Sequence, residues 1–250
     1  MAPRVGIAGY GLAGRYFHAP LLVGAGFEVA TILTTNNQRI ADAQTDFPSA
    51  KIVENLDDLI ASKIDLLVVA SANDAHASQA IASLKAGIPV VVDKPMGRTL
   101  KETQEIVDVS IQTGVPVTTY FNRLWDSDAL TVKKIINEGV LGDIFRLESR
   151  FEVFRPELKG NSWREDQTAA QGGGNLLDLQ PHLVSTALDW FGPAELISAS
   201  VRSIRGASDD DIVSDVWAAG RHMVSEGRHI LRDAISTQFL KTIKRLRDEL

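Results

Sequence analysis

No residue of this 250-residue chain is a cysteine. That absence excludes disulfides, thiolate zinc sites and a cysteine nucleophile, and it is compatible with a reducing cytoplasm. Basic charge is also short. The 26 Lys and Arg stand against 32 Asp and Glu, a formal net charge of −6, so the basic footprint that binds a phosphate backbone is missing and no nucleic-acid partner is expected. No stretch approaches the roughly 18 consecutive apolar residues of a membrane helix. The N-terminal "MAPRVGIAG" lacks a charged segment followed by a long apolar one. The expectation is a cytoplasmic protein without a membrane partner or a metal. Internal repeats, low-complexity linkers and long charge runs are absent too. With 44% hydrophobic and 23% charged residues and a mean hydropathy near zero, the chain has material for one large or two modest domains.

Short apolar runs recur at Val5 to Ala8, Val29 to Leu33, Ile52–Val53, Leu66 to Ala70, Val90 to Val92 and Val115 to Thr119. Each reads as a buried strand. Between them fall helical segments: Leu12 to Val23, broken at Pro20; Gln38 to Gln44; Leu56 to Ser62; Ala75 to Lys85; and Thr99 to Gln112. The last opens with "TLKE", a capping box in which Thr99 and Glu102 satisfy backbone donors, and closes before Gly114. Parallel neighbours need long return paths, so this alternation predicts a doubly wound parallel sheet over residues 1–120.

After Tyr120 the texture changes. A helix from about Ser127 to Asn137 leads into "IFRLESRFEVF", whose period-two alternation predicts a half-buried strand of an antiparallel sheet. A second domain, 121–250, is expected to start here. "QGGGNLLDLQPHL" opens a helix to about Phe191, and "AELISASVRSI" and "DIVSDVWAAGRHM" are further strand candidates. Residues 227–236 read as a hairpin strand or the start of a last helix. In that helix Phe239, Ile243, Leu246 and Leu250 form an apolar stripe with basic residues opposite.

Gly9, Gly11 and Gly14 form G-x-G-x-x-G directly after the first strand and at the start of a helix. The first glycine permits a tight turn, the second lets the backbone approach a pyrophosphate, and the third lets helix and strand pack closely. A plain strand-to-helix turn is the alternative; the surrounding strands favour a dinucleotide loop of Gly9, Tyr10, Gly11, Leu12, Ala13 and Gly14. At the end of the second strand, where an acid would bind the ribose of NAD, the chain has "ILTTNNQR". Thr34, Thr35 and Asn36 are small donors and Arg39 can reach a 2′-phosphate, so NADP is preferred, with NAD the alternative. Arg39 as a solvated helix charge is the bland reading. At the other strand ends stand Ser71, Asn73 and His76, then Asp93, Lys94 and Pro95, then Asn122 and Arg123. Ligands of doubly wound sheets bind there. Singly, each of these residues reads as a cap or a surface charge; together they point to a site.

These motifs resemble those of the Gfo/Idh/MocA oxidoreductases. The residues that carry the likeness are "GYGLAG" with "FHAP", "NDAH", "DKP", "FNRLWDSD", "ESRFEVFRPE", "WRE" and "GGGNLLDLQPH", covering about residues 4 to 205. One small departure is Ala72, where the family often has proline. The chain looks most like the subgroup with NADP-linked scyllo-inositol dehydrogenases. The resemblance implies an N-terminal Rossmann domain and a C-terminal α+β domain with an open, mostly antiparallel sheet. It implies Lys94, Asp178 and His182 as catalytic residues, a nicotinamide cofactor, a polyol or sugar-like substrate, and a homodimer through the second domain.

The residues suit those roles. Asp178 and His182 are four apart, on one face of a helix; a surface ion pair is the bland alternative. His182 reads as general base, because imidazole exchanges protons near neutrality. Asp178 reads as its orienting partner and a ligand of the substrate hydroxyl, or as a sharer in the proton chemistry, and Lys94 as the cation for a developing alkoxide. Arg123, Phe151, Arg155, Trp163 and Arg164 are assigned to a polyol pocket, with core the alternative for Trp163 and Phe151. The resemblance fades near the end, where the chain reads as shortened and the second sheet as incomplete, with about four strands. A non-catalytic NADP-binding module is therefore the second expectation.

Overall fold

The computed structural model describes residues 2–151, 163–197 and 199, and the short strands Val216–Ala218, Arg221–Ser225 and Arg228–His229. Six strands form one parallel sheet: β1 (Arg4–Ala8), β2 (Glu28–Leu33), β3 (Lys51–Val53), β4 (Leu66–Val69), β5 (Val90–Asp93) and β6 (Val117–Tyr120). Their order is β3-β2-β1-β4-β5-β6, so the winding reverses between β1 and β4. Helices cover both faces, which is why the strands are apolar at successive positions. Val5, Ile7, Ile32 and Val68 pack on one face with Tyr10 and Ala43; Ala8, Leu33, Leu67 and Val69 pack on the other with Leu59, Leu84 and Ile106.

The connections are a helical run over 12–24, then α2 (Asn37–Asp46), α3 (Leu56–Ile60), α4 (Asn73–Lys85) and α5 (Leu100–Thr113). The expected break at Pro20 is absent. Gly14–His18 forms a π-helical turn that continues as α1 (Ala19–Gly24), and the Ala19 N–H donates to the Gly14 carbonyl. A proline has no N–H and crowds the carbonyl four residues back; the widened turn accommodates both. Thr99 caps α5 by accepting from the Glu102 N–H, but the Glu102 carboxylate accepts from the Arg98 N–H, one residue upstream of the expected reciprocal bond.

Beyond β6 come a short 3₁₀ turn (Asn122–Trp125), α6 (Ser127–Asn137), α7 (Trp163–Asp166), a second 3₁₀ turn (Ala169–Gln171) and α8 (Asn175–Phe191). The strand expected over 145–151 is not formed; Phe145 is 97% exposed. Alternation alone makes an amphipathic ribbon, and among the described residues no strand supplies the ladder it needs. Residues 194–197 likewise carry no strand, and the rest of "AELISASVRSI" except residue 199 lies outside the described residues. "DIVSDVWAAGRHM" is two strands rather than one. β7 (Val216–Ala218) and β8 (Arg221–Ser225) pair antiparallel, joined on the other side of β8 by β9 (Arg228–His229). Ala218 pairs with Arg221. Of residues 227–236, Arg228–His229 form strand β9, in keeping with the hairpin-strand reading; the last helix falls outside the described residues.

The glycines at the β1 end set the tightest tolerance. Gly9 has φ +95°, and a Cβ there would lie 2.5 Å from the Ala70 carbonyl oxygen; a Cβ on Gly14 would lie 2.0 Å from that of Gly9. Gly14→Ala is therefore expected to destabilise by about 1–3 kcal/mol through overpacking against backbone. A thermal melt should fall by roughly 2–4 °C per kcal/mol for a chain of this size; an unchanged melt would contradict the close approach.

Candidate active site

The carboxyl edge of the sheet gathers the polar strand ends. The β5 end carries Asp93, Lys94 and Pro95, with a cis Lys94–Pro95 peptide. Asp93 accepts the Lys94 N–H at 2.8 Å, and the Lys94 ammonium reaches α8, donating to both the carbonyl and the carboxylate of Asp178 at 2.7 Å. Arg164, from α7, donates to both oxygens of the same carboxylate, its Nη2 at 3.3 Å. Asp178 is only 5% exposed, so one buried carboxylate holds two cations from two parts of the chain. Burial pushes its pKa up, but the Arg164 hydrogen bond and the Lys94 charge and hydrogen bond outweigh that and hold it below the usual carboxylate value.

His182 lies one turn further along α8, and its Nδ1 is buried with no hydrogen-bond partner. Desolvation, then the Lys94 and Arg123 charges, lower its pKa from the ordinary value, against the opposing pull of Asp178 and Asp93. Asp178 is the residue expected to orient His182. Helical spacing does place them on one face, yet no hydrogen bond joins them, because the two cations occupy the carboxylate. Charge-assisted bonds to Lys and Arg outcompete one to a neutral imidazole.

The expected cofactor residues sort into two groups. Gly9, Gly11 and Gly14 form the turn between β1 and the first helix, with Leu12 exposed and Ala13 half-buried. Arg39 sits over this turn: a Cβ on Gly11 would lie 3.4 Å from its guanidinium carbon. Among the described residues Arg39 makes no ion pair, whereas nearby Arg15 is held by Asp42 at 2.6 Å and Asp46 at 2.7 Å. Thr35 is exposed beside it, while Thr34 is buried with its N–H on Val53. Asn36 caps α2 by accepting from the Arg39 N–H.

Others stand behind the crevice. The Tyr10 side chain is buried and donates to Asp46, and burial first, then that hydrogen bond, raises its pKa. Its backbone alone belongs to the turn. His76, expected at the cofactor, is 1% exposed, with Nδ1 2.8 Å from the Pro95 carbonyl oxygen and Nε2 3.2 Å from that of Ser71. It ties the β4 and β5 ends together. Ser71 donates to Gln79, and Asn73 to the Gly172 carbonyl. Asn122 starts the 3₁₀ turn after β6. Arg123 pairs with Asp126 and lies over the Phe151 ring at 5.9 Å. Arg155 and the Trp163 side chain lie outside what is described.

One contact and one residue escaped the sequence reading. Arg164 was assigned to substrate, and its grip on Asp178 was not foreseen. Arg98 holds Glu102 and reaches the Ala170 carbonyl at 3.5 Å, joining the loop after Lys94 to the segment before α8. A cavity of about 390 Å³ lies beside Arg98 against Leu177 and Pro181; none of the candidate catalytic side chains lines it. Among the described residues no cluster could hold a metal, and no helix is long and apolar enough to cross a membrane.

Comparison with known proteins places this site in a family. Residues 3–121 match the Gfo/Idh/MocA domain described as "Oxidoreductase family, NAD-binding Rossmann fold", and residues 129–221 match the Gfo/Idh/MocA C-terminal domain. The chain belongs to the Gfo/Idh/MocA oxidoreductase family. It is 38% identical over 211 residues to the uncharacterised oxidoreductase YdgJ of Escherichia coli K12, covering 83% of this chain and 59% of that one. It is 35% identical over 204 residues to the NADP-linked scyllo-inositol 2-dehydrogenase IolW of Bacillus subtilis, covering 81% and 55%. The structure of an NAD-binding protein from Listeria innocua superposes with a TM-score of 0.69 at 31% identity, over 76% of this chain and 55% of that one. The chain thus spans just over half the length of these relatives.

The lowered His182 pKa is open to direct measurement. In an NMR titration its midpoint should lie below the ordinary value of about 6.5. Lys94→Met removes a lowering charge and should raise the midpoint; Asp178→Asn removes a raising one and should lower it. Because the folded value is depressed, the unfolded chain binds the proton first as pH falls, so this group's contribution to stability declines below about 6.5. Midpoints unmoved in both variants would contradict the arrangement.

Proposed function

We propose that the chain is an NADP-preferring oxidoreductase that moves a hydride between the nicotinamide and a secondary hydroxyl or ketone carbon of a cyclic polyol or sugar-like substrate. The observation that carries the reading is the Lys94 ammonium held by the buried Asp178, one helical turn before a histidine whose pKa burial lowers. The turn at Gly9 to Gly14 fits a dinucleotide, since side chains at Gly9 or Gly14 would strike backbone, and Arg39 stands over it with no carboxylate partner among the described residues. An Arg in this place accommodates the 2′-phosphate of NADP. The relative IolW is named for NADP and an inositol, which supports both halves of the reading.

Bound nicotinamide would supply the carbon that takes or gives hydride. The chain's own residues handle the rest. His182, kept deprotonated by burial and by Lys94, accepts the hydroxyl proton in the oxidative direction and returns it in reduction. The Lys94 ammonium faces the charge that develops on the substrate oxygen. Asp178 and Arg164 fix that ammonium in place, so it need not reorganise as the charge forms. Arg123, Phe151, Arg155, Trp163 and Arg164 are the residues assigned to the substrate's hydroxyls and C–H faces. A cytoplasmic homodimer joined through the second domain belongs to the same reading.

The test is cofactor reduction over a panel of inositols and hexoses with both cofactors. NADP should bind several-fold more tightly than NAD, and Arg39→Ala should erase the difference; equal affinities in the parent chain would remove the phosphate site. Lys94→Met should cost about 3 kcal/mol, roughly a hundredfold in turnover, with far less change in cofactor affinity. Wild-type turnover in both Lys94→Met and His182→Ala would overturn the catalytic assignment. Tight NADP binding without turnover across the panel would favour a binding module.

A further inference from the structure

A second histidine of the molecule has no task in the reading above. His18 ends the π-helical turn after the glycine loop and is only 3% exposed, and its Nε2 is buried without a hydrogen-bond partner. An apolar residue would fill such a place without a stranded nitrogen. The imidazole instead leans on the Tyr120 ring, with centroids 4.4 Å apart, and its Nε2 faces the Asp93 carboxylate at 3.6 Å. Three elements therefore meet here: the first helix, the β5 end and the β6 end.

Asp93 is the link to the chemistry. One of its oxygens already accepts the Lys94 N–H, and the other is the one His18 faces. The next residue carries the ammonium that reaches Asp178. A displacement of about 0.7–0.9 Å converts the 3.6 Å approach into a hydrogen bond, since bonds to ionised acceptors run to about 2.7–2.9 Å. The π turn is what brings His18 here. It adds one residue to the turn, and such insertions re-aim the side chains that follow.

We propose that His18 is a positioning residue for Lys94: its Nε2–H donates to Asp93, which fixes the peptide from which the Lys94 side chain reaches the substrate oxygen. Tyr120 supplies the flat face that sets the imidazole's tilt. The proposal rests on the catalytic reading of Lys94.

Two measurements test it on the full chain. Long-range ¹H–¹⁵N NMR of the NADP-bound protein should show His18 as the Nε2–H tautomer, with its signals displaced in Asp93→Asn. An Nδ1–H tautomer, or no response to Asp93→Asn, would overturn the proposal whether or not a substrate is in hand. On a substrate from the panel, His18→Phe keeps the ring on Tyr120 but removes the donor. It should lower kcat about tenfold or more, as small misplacements of reacting groups do, with KM for NADP and the melting temperature little changed. His18→Gln, which restores an N–H donor, should recover most of that loss. Equal loss in both variants together with a lower melting temperature would make His18 structural only. Lys94→Met is measured alongside. If it too turns over normally the catalytic reading fails, whereas an impaired Lys94→Met with an unimpaired His18→Phe defeats this proposal alone.

Discussion

The structure turns on one buried carboxylate. Asp178 is nearly inaccessible and would be costly to ionise alone, yet it is held ionised by Lys94 from the end of β5 and Arg164 from α7. The three groups are mutually dependent. Without Asp178 two cations would face each other at the edge of the sheet; without Lys94 the long helix α8 would lose its bond to the parallel sheet. The same contact that joins α8 to the sheet therefore presents an ammonium and a histidine side by side.

Around it the packing is arranged to leave little play. His76 spans two backbone carbonyls at the β4 and β5 ends, Asn73 bonds the Gly172 carbonyl, and Arg98 reaches the Ala170 carbonyl. The last two run from the sheet side to the segment that leads into α8. Gly172 needs its small side chain there: its φ is +96°, and a Cβ would sit 3.0 Å from that of Asn73. On the other side of the crevice, Tyr10 and Arg15 share Asp46, fastening the first helix to α2 and so placing Arg39 over the glycine turn. Both ends of the dinucleotide crevice are thereby fixed by polar contacts that the apolar core cannot supply.

The parallel sheet was legible in the sequence because its strands are buried on both faces and bounded by turn residues, which leaves a continuous apolar run at each. The start and length of α8 follow from a local signal of the same kind, the glycines at 172–174, whereas the Asn36 cap that starts α2 was read as a cofactor donor. The segment 145–151 misled for the converse reason. Its alternation is a local signal, while strand formation depends on a partner elsewhere in the chain. Contacts set by the fold were the least visible. The bonds of Lys94 to Asp178 span 84 residues, and the Arg164 grip on Asp178 left no mark because nothing in "WRE" announces a carboxylate 14 positions on. His76 looked like a ligand residue for a like reason: its partners are backbone carbonyls, which leave no mark in the sequence.

The central claim is that Lys94 and Asp178 act as one unit across the two halves of the chain. A double-mutant cycle in urea unfolding, with Lys94→Met, Asp178→Asn and the pair together, measures this directly and needs no substrate. Residues sharing one ion-pair network couple by about 0.5–3 kcal/mol, and a buried pair such as this is predicted to reach at least about 1 kcal/mol. Additive losses, within about 0.3–0.5 kcal/mol of zero coupling, would contradict the account.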